Sequence, residues 1–305
     1  MNVLITGANG FMGKALTKKF LSQNNKVFAI VTNKQEMEDI ECENLHVFEL
    51  FFDAYQNIAQ LVKEDIDLCY HFAWAGLCGA PAQDVALQTS NVVATSILIN
   101  ELIKLHVKKI VFASTMNTLE LRGLISNPRT SRPRGTLIHV ASKLNADIVA
   151  RTLCEQNNIE FNDGVIAMAY GENNKSKMIP NVIIYSLLNN KEIDLVEGNN
   201  LYDMVYISDI VSAFVAIGEK GKNKESYYIG HDDNRTFRDI ITDIRDVLNP
   251  SIKLHFGKNK NDNNIDYSLI DRSLLTKDTG WKPTVDFKKS ILDTAKWIKE
   301  SGLEF

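Results

Sequence analysis

The stretch Val3-Leu4-Ile5-Thr6-Gly7-Ala8-Asn9-Gly10-Phe11-Met12-Gly13 decides the fold of this chain. Its first four residues are typical of a short buried strand, and the residues after Gly13 have the apolar period of a helix. The first glycine permits a tight turn, the second lets backbone N–H groups approach a pyrophosphate, and the third lets helix and strand pack closely. The stretch predicts a dinucleotide site; the alternative interpretation is a glycine turn with a structural role only.

The first half of the chain continues the alternation of strand and helix. Short β-branched runs alternate with longer stretches of helical period, which is typical of a parallel sheet covered by helices on both faces. We predict strands at 3–6, 27–32, 45–50, 67–73, 109–113 and 163–167, and helices at 13–23, 91–105, 139–156, 179–188, 207–219 and 237–248.

Composition and charge narrow the class of protein. With 305 residues, 45% of them apolar and 24% charged, the chain is predicted to form one large α/β body with a smaller lobe. Lys and Arg total 34 against 38 Asp and Glu, and a net charge of −4 lacks the signature of a non-specific nucleic-acid binder. Four distant cysteines without a C-x-x-C pattern predict neither a zinc ribbon nor a disulfide framework, and no metal site is expected.

The membrane-targeting patterns are missing from the sequence. No basic leader precedes the first strand, and no apolar run is long enough to span a bilayer. We therefore expect a cytoplasmic protein without a membrane partner.

Several further motifs accompany the glycine turn. Its G-x-x-G-x-x-G spacing resembles the extended short-chain dehydrogenase/reductase family, in the NAD-dependent epimerase/dehydratase branch that acts on nucleotide sugars. The other matching motifs are His71-Phe72-Ala73-Trp74-Ala75-Gly76, Asn91, Val111-Phe112-Ala113-Ser114-Thr115, Tyr170-Gly171, Leu201-Tyr202-Asp203-Met204-Val205-Tyr206-Ile207-Ser208-Asp209 and Thr279-Gly280-Trp281-Lys282-Pro283.

This resemblance implies an architecture and a cofactor site. The fold is expected to be a doubly wound parallel Rossmann sheet over residues 1–168, to which about 204–232 return, with a smaller interwoven substrate-binding lobe over 169–305. The residues expected to bind the cofactor are Gly7, Asn9, Gly10, Phe11, Met12, Gly13, Thr32, Asn33, Lys34, Phe72, Ala73, Trp74, Ala113 and Lys143.

The end of the second strand bears on the choice of cofactor. An NAD enzyme usually places Asp or Glu there to hold both ribose hydroxyls, whereas this chain has Thr32-Asn33-Lys34. No carboxylate is expected to repel a 2′-phosphate, and Lys34 could meet one. The sequence therefore favours NADP(H), with NAD as the alternative.

The resemblance also implies a catalytic set of three residues, one of which departs from the family pattern. Family members use a Ser or Thr together with a Tyr and a Lys spaced as Y-x-x-x-K on a helix. Thr115 and Lys143 match two positions, but the third is His139. Three interpretations stay open: the imidazole relays the proton, another group supplies it and His139 only shapes the pocket, or the site is catalytically impaired.

The expected substrate contacts are Thr115, Met116, Asn117, Met168 and Tyr202, and several of them depart from the family. Met116-Asn117 stands where 4,6-dehydratases carry an Asp-Glu pair, so dehydration is disfavoured. Met168 replaces a common Asn, and Tyr202 replaces an Arg that reaches the nucleotide. Arg132 or Arg134 could supply the missing positive charge; the alternative is a solvated basic loop.

These expectations combine into one functional hypothesis. We expect an NADP(H)-dependent enzyme that acts on a nucleotide-activated sugar, with reduction of a 4-keto sugar as the first candidate and C4 epimerisation close behind. The alternative of another class is an impaired homologue that binds a dinucleotide or sugar nucleotide. A homodimer is also expected, through faces of the 91–105 and 139–156 helices that carry Val92, Ile99, Ile103, Leu144, Ile148 and Leu153.

Overall fold

The computed structural model describes residues 1–126, 135–260 and 265–305. Arg132 and Arg134, the two arginines expected to meet substrate, lie outside these ranges.

Seven parallel strands form the central sheet, and it has the order expected of a dinucleotide-binding fold. Its strands are β1 (Asn2–Thr6), β2 (Lys26–Val31), β3 (Leu45–Glu49), β4 (Leu68–His71), β5 (Lys109–Thr115), β6 (Glu160–Ile166) and β10 (Ser226–Ile229). They lie side by side in the order β10-β6-β5-β4-β1-β2-β3, and every neighbouring pair is parallel. All their carboxyl ends therefore meet at one edge, which we call the carboxyl edge. The predicted doubly wound parallel sheet is confirmed.

Helices cover both faces of this sheet. On one face α1 (Phe11–Ser22) packs beside α7 (Ile207–Lys220), and on the other α3 (Val85–Lys104) packs beside α5 (Leu137–Gln156). Successive residues of β1 pack on opposite faces of the sheet: Val3 and Ile5 belong to the core under α1 and α7, and Leu4 belongs to the core under α3 and α5. This alternation explains why the strand reads as continuously apolar.

The remaining elements form a smaller lobe and several connections. Two short parallel ladders, β7 with β9 and β8 with β11, lie beside the helices of this lobe. The chain passes from β9 through α7 into β10, so it leaves the lobe and re-enters the central sheet before it returns. The strands and helices not yet given have these bounds: β7 (Met168–Tyr170), β8 (Ile193–Asp194), β9 (Met204–Tyr206), β11 (Leu254–His255), α2 (Ile58–Val62), α4 (Asn117–Ser126), α6 (Ile179–Leu188), α8 (Phe237–Leu248), α9 (Leu274–Thr279) and α10 (Phe287–Ser301).

Some predicted boundaries were wrong, each for a local reason. The third helix starts at Val85 and not at 91, because the Asp84 side chain caps it by accepting a hydrogen bond from Leu87 N at 3.0 Å. β5 runs on to Thr115 because its ladder with β6 continues to the pair Thr115↔Ile166. The helix α4 was not predicted at all.

A buried ion cluster fixes α5 against the sheet. Arg151 donates to both carboxylate oxygens of Asp147 (3.2 and 3.0 Å), to Asp163 and to Ser226 Oγ (2.7 Å). It thereby ties α5 to β6 and β10, and breaking such a buried pair is strongly destabilising. The helix that carries His139 and Lys143 is thus held in one position on the sheet.

Among the helices that the structure describes, none is long and apolar enough to cross a membrane.

Candidate active site

The glycine turn brings two loops of the carboxyl edge into contact. Gly7 has φ +66°, and a Cβ built on it would lie 2.8 Å from Ala73 N, in the loop after β4. Gly10 caps α1 without a side-chain hydrogen bond, and the first turn of that helix carries no acidic residue. The N–H groups at this helix end are therefore open to an anion, and the missing Cβ atoms leave room for a pyrophosphate. These residues fit a dinucleotide.

The end of this cleft beside β2, which we call the ribose end because the family pattern predicts the ribose there, carries a carboxylate that the sequence analysis missed. Asn9 Nδ2 donates to Thr32 Oγ1 at 3.2 Å and to Glu36 Oε2 at 2.7 Å. Glu36 comes from a short 3-10 helix, Lys34–Met37, and not from the strand end where the family pattern places its acid. The expectation that no carboxylate stands at this edge was wrong, because the turn after Asn33 carries Glu36 back towards Asn9. Both Lys34 and Glu36 lie at this end.

Hydrogen bonds to β1 and α3 fix the loop after β4. Ala73 N donates to Thr6 Oγ1 at 3.2 Å, and Ala75 N donates to Asn91 Oδ1 at 2.7 Å. Asn91 Nδ2 in turn donates to Ala75 O at 3.1 Å. The segment Phe72-Ala73-Trp74, which the sequence predicted to meet the cofactor, thus has a fixed backbone beside the glycine turn.

Lys143 is buried next to this loop. Its ammonium group donates to Ala113 O at 2.6 Å and lies over the ring of Trp74, 4.4 Å from the centroid. Burial lowers the pKa of Lys143 from 10.5 to about 7, because the charged form loses its hydration. The predicted residues Ala113, Trp74 and Lys143 therefore form one cluster around a cation.

His139 belongs to the same cluster. It lies one turn before Lys143 on α5, and its ring meets that of Trp74 edge to face at a centroid distance of 5.6 Å. Its Nδ1 lies 3.2 Å from Gln88 Oε1. Burial, and secondly the charge of Lys143, lower the pKa of His139 to about 4. The imidazole is therefore neutral at neutral pH.

Thr115, Met116 and Asn117 follow one another at the carboxyl end of β5. Thr115 Oγ1 accepts a hydrogen bond from Asn117 N at 3.4 Å, so its hydroxyl proton is not used in that contact. Asn117 Oδ1 is buried and has no hydrogen-bond partner among the described residues. Met116 Sδ accepts from the Tyr267 hydroxyl at 3.7 Å. These atoms offer a donor and an acceptor at the same strand end as Ala113.

Met168 and Tyr202 lie further along the edge, in the smaller lobe. Met168 opens β7, and its N–H donates to Asp203 O at 3.1 Å. Tyr202 is in the wall of a cavity of about 320 Å³, and its buried hydroxyl has no partner among the described residues. The other residues that line this cavity are mainly apolar: Lys177, Ile179, Val182, Ile183, Ile193, Asp194, Leu195, Val196, Asn200, Leu201, Phe237, Asn259 and Ile265.

A charged pair at the end of β10 was also missed by the sequence analysis. Asp203 accepts hydrogen bonds from His231 N (2.6 Å) and from Tyr228 Oη (2.8 Å), and its Oδ1 lies 2.8 Å from His231 Nδ1. The hydrogen bond with Asp203 raises the pKa of His231 above its usual value. His231 directly follows Gly230 at the end of β10, and a polar residue after a strand and a glycine was the available signal. The pair joins the segment before β9 to the end of β10.

The structure thus brings one set of predicted residues together by direct contact and leaves another set apart. The contact set comprises Gly7, Ala73, Trp74, Ala113, His139 and Lys143. Thr115, Met116, Asn117, Met168 and Tyr202 share the carboxyl edge with it, but the roles of all these residues stay predictions. Among the described residues, no group of three or more His, Cys, Asp or Glu side chains gathers as a metal site would require.

Comparisons with known proteins identify the family and the fold. The model of the NAD dependent epimerase/dehydratase family matches residues 3–230. CDP-abequose synthase of Salmonella typhimurium is 24% identical over 96% of this chain and 97% of its own length. dTDP-4-dehydro-6-deoxyglucose reductase of Escherichia coli is 24% identical over 97% of each chain. The crystal structure of UDP-glucose 4-epimerase from Thermotoga maritima, with UDP-glucose, superposes with a TM-score of 0.82 at 17% identity and covers 99% of both chains.

The buried cation leads to a prediction about stability. Lys143→Met removes a buried charge whose lowered pKa corresponds to a cost on the order of 5 kcal/mol, and it also removes the hydrogen bond to Ala113 O, which offsets part of that gain. We expect the cofactor-free variant to unfold at a higher temperature than the wild type. The folded pKa lies below the unfolded one, so the gain should be full below pH about 7 and fade towards pH about 10.5.

Thermal unfolding followed by circular dichroism over that pH range measures the effect. Lys109→Met is the matched control, because Lys109 is also buried but donates to Ile217 O (3.0 Å) and Gly221 O (2.7 Å). The control should lose stability. A Lys143→Met variant that unfolds earlier than the wild type at every pH contradicts the prediction.

Proposed function

This chain belongs to the NAD-dependent epimerase/dehydratase family, and on that basis we propose that it moves a hydride between a nicotinamide cofactor and one carbon of a nucleotide-activated sugar. The observation that carries the proposal is the buried cluster of Lys143, Trp74 and Ala113 beside the Gly7 turn. A cation and a dinucleotide cradle meet there at the carboxyl edge of a parallel sheet, the usual ligand site of such folds. Bound NAD(P) supplies or takes up the hydride.

The smaller lobe is the proposed place for the nucleotide. The mainly apolar cavity that Tyr202 lines has walls that suit a flat base, and Asn259 is a polar residue in its lining. One short segment joins the wall of this cavity to the end of β5, since Ile265 lines the cavity and Tyr267 contacts Met116. His231, which is hydrogen-bonded to Asp203, the residue directly after Tyr202 in the chain, is the proposed contact for a diphosphate.

Reduction of a 4-keto sugar is the reaction that we propose first. It needs only a hydride and one proton at the sugar oxygen, which is the smallest demand on a site without the family tyrosine. Lys143, with a pKa of about 7, is half protonated at neutral pH and is the proposed proton source. The Thr115 hydroxyl donates a hydrogen bond to the same oxygen in this proposal. The Escherichia coli relative named above is a 4-dehydro-sugar reductase, which is consistent with this reaction.

A C4 epimerase is the second candidate, and the neutral His139 favours it. An imidazole with a pKa of about 4 can accept a proton from a sugar hydroxyl while a hydride leaves the same carbon.

An impaired homologue that only binds its ligands is the third candidate. It would bind the dinucleotide and a nucleotide sugar without turnover.

The reaction is tested with CDP-, dTDP- and UDP-linked 4-keto-6-deoxy sugars and NADPH or NADH, and separately with nucleotide hexoses and NAD. We expect loss of reduced cofactor with a keto sugar, at a rate that falls as the pH rises through about 7, where Lys143 loses its proton.

Thr115→Val should lower kcat by roughly 10²-fold, whereas Thr152→Val, on the exposed side of α5, should not. Binding without turnover on every sugar, together with activity of His139→Tyr, would replace this proposal with the binding homologue.

Two charges of opposite sign at the ribose end generate a prediction about the cofactor. We propose NADP(H), with Lys34 attracting the 2′-phosphate and Glu36 opposing it. Lys34→Ala should weaken NADPH binding relative to NADH, and Glu36→Gln should strengthen it, each by roughly fivefold for one exposed charge. Fluorescence titration with both cofactors measures this, and Lys220→Ala, at the far end of α7, is the control. Equal affinities of the wild type for NADPH and NADH would contradict NADP(H) as the cofactor.

The expected homodimer is also a proposal, with a corrected interface. Ile99 is buried in the chain's own core and cannot face a partner, because α3 turns that side towards the sheet. Val93 on α3 and Ile148 on α5 are instead 55% and 56% exposed. These two side chains, on the two helices that pack together, are the proposed centre of a two-fold contact.

Charges placed on this face should separate the subunits. Val93→Glu and Ile148→Lys are each expected to shift the sedimentation coefficient from dimer to monomer at micromolar concentration, because a buried unpaired charge is costly. Leu292→Lys, at an exposed apolar residue of α10, should leave the dimer intact. A monomeric wild type would count against the interface altogether.

A further inference from the structure

A glutamine that no motif singled out lies behind His139. Gln88, on α3, is fully buried. Its Nε2 donates to three backbone carbonyls: Ala75 O at 3.1 Å, Gly76 O at 2.8 Å and Pro81 O at 3.0 Å. Carbonyl oxygens only accept hydrogen bonds, so the nitrogen end of this amide must point at them.

The other end of the amide faces the ring cluster. Gln88 Oε1 accepts a hydrogen bond from Trp74 Nε1 at 2.9 Å and lies 3.2 Å from His139 Nδ1. An indole N–H only donates, so it requires the oxygen at this end, in agreement with the three carbonyls at the other. The orientation of Gln88 is therefore fixed from both sides.

A fixed oxygen acceptor decides which nitrogen of His139 carries the proton. Oε1 has no hydrogen to give, so the contact with Nδ1 is a hydrogen bond only when Nδ1 is protonated. In a neutral ring, Nε2 is then the nitrogen with the free lone pair. Among the described residues, none donates to this Nε2.

We propose that Gln88 is a positioning residue that holds His139 in the Nδ1-protonated tautomer, so that Nε2 receives a proton from a sugar hydroxyl. The catalytic half of this inference rests on the proposed function. In that step the hydroxyl O–H bond breaks and its proton goes to Nε2, a C=O bond forms, and the hydride leaves the same carbon for oxidised nicotinamide. Run in the opposite direction, the step needs His139 already protonated.

The electrostatics of the cluster set the favoured direction. Burial and the Lys143 charge keep the pKa of His139 near 4, so the ring is a proton acceptor over the neutral range. His139 therefore acts in hydroxyl oxidation, including the first half of an epimerisation. During ketone reduction at neutral pH the proton comes from another group.

The tautomer can be measured on the protein without any substrate. In a sample with ¹⁵N-labelled histidine, long-range ¹H–¹⁵N spectra distinguish a protonated ring nitrogen from a bare one, and His139→Ala assigns the signal. We expect Nδ1–H at neutral pH. His71 is an internal control of opposite tautomer, because Thr95 Oγ1 donates to Asn91 O and so accepts from His71 Nε2 at 2.9 Å.

Two variants test the part played by Gln88. Gln88→Leu removes the acceptor and should convert His139 to a tautomer mixture without changing His71; turnover in the hydroxyl-oxidising direction should fall roughly two- to tenfold, in proportion to the lost Nδ1–H fraction. Ketone reduction, in which the proton comes from another group, should change less. Gln88→Glu keeps an acceptor at the Oε1 position and should retain Nδ1–H on His139; its second oxygen faces the three carbonyls, so we expect that oxygen to be protonated and the side chain to be neutral. This second variant also serves if the first does not fold.

The outcomes separate this inference from the proposed function. Nε2–H on His139 in the wild type, or Nδ1–H unchanged in Gln88→Leu, overturns the role of Gln88. The expected tautomers together with no turnover of any nucleotide sugar leave the role of Gln88 standing and reject the proposed function instead.

Discussion

The close approach of Gly7 to Ala73 is the constraint on which the site depends. β1 and β4 are neighbours in a parallel sheet, so the loops that follow them leave the same edge side by side. They can close to contact only because Gly7 has a positive φ and no Cβ, since a methyl group there would lie 2.8 Å from Ala73 N. This contact sets the helix end for a pyrophosphate beside the loop that carries Trp74. The indole in turn covers the Lys143 cation.

Hydrogen bonds from the helix α3 fix the loop that follows β4. Three polar side chains of α3 are buried and hydrogen-bonded: Gln88, Asn91 and Thr95. Gln88 and Asn91 bond the loop that follows β4, and Thr95 bonds the backbone of Asn91. Thr95 accepts from His71, and Thr6 bonds the other nitrogen of that ring at 2.7 Å, so the ends of β1 and β4 are joined through a histidine. Satisfied buried polar groups of this kind specify one structure, because any displacement leaves an unpaired group. The residues of the candidate site are therefore held by hydrogen-bonded strands and helices and not by free loops.

The parts of the site that sequence could predict are those set by local pattern. The Gly7–Gly13 spacing, the apolar strands and the Lys143 position relative to His139 are each read within a few residues, and the fold followed from them. The parts that it missed depend on distant pairs. Glu36 meets Asn9 from 27 positions away, and Gln88 meets His139 from 51. Neither residue type is unusual in its own neighbourhood, so only the folded chain shows that Glu36 stands at the ribose end or that Gln88 orients a ring.

If His139 takes the place of the family tyrosine, as its spacing from Lys143 predicts, the exchange also changes the effect of the lysine charge. A cation beside a phenol lowers the phenol's pKa and ends paired with a negative oxygen, so the two groups support each other's charge. A cation beside an imidazole opposes protonation of the ring, and the two groups compete for a single positive charge in a buried space. With the pKa of His139 near 4 and that of Lys143 near 7, the charge resides on the lysine. The Lys143 charge therefore opposes protonation of His139, and at neutral pH the two groups carry at most one positive charge between them.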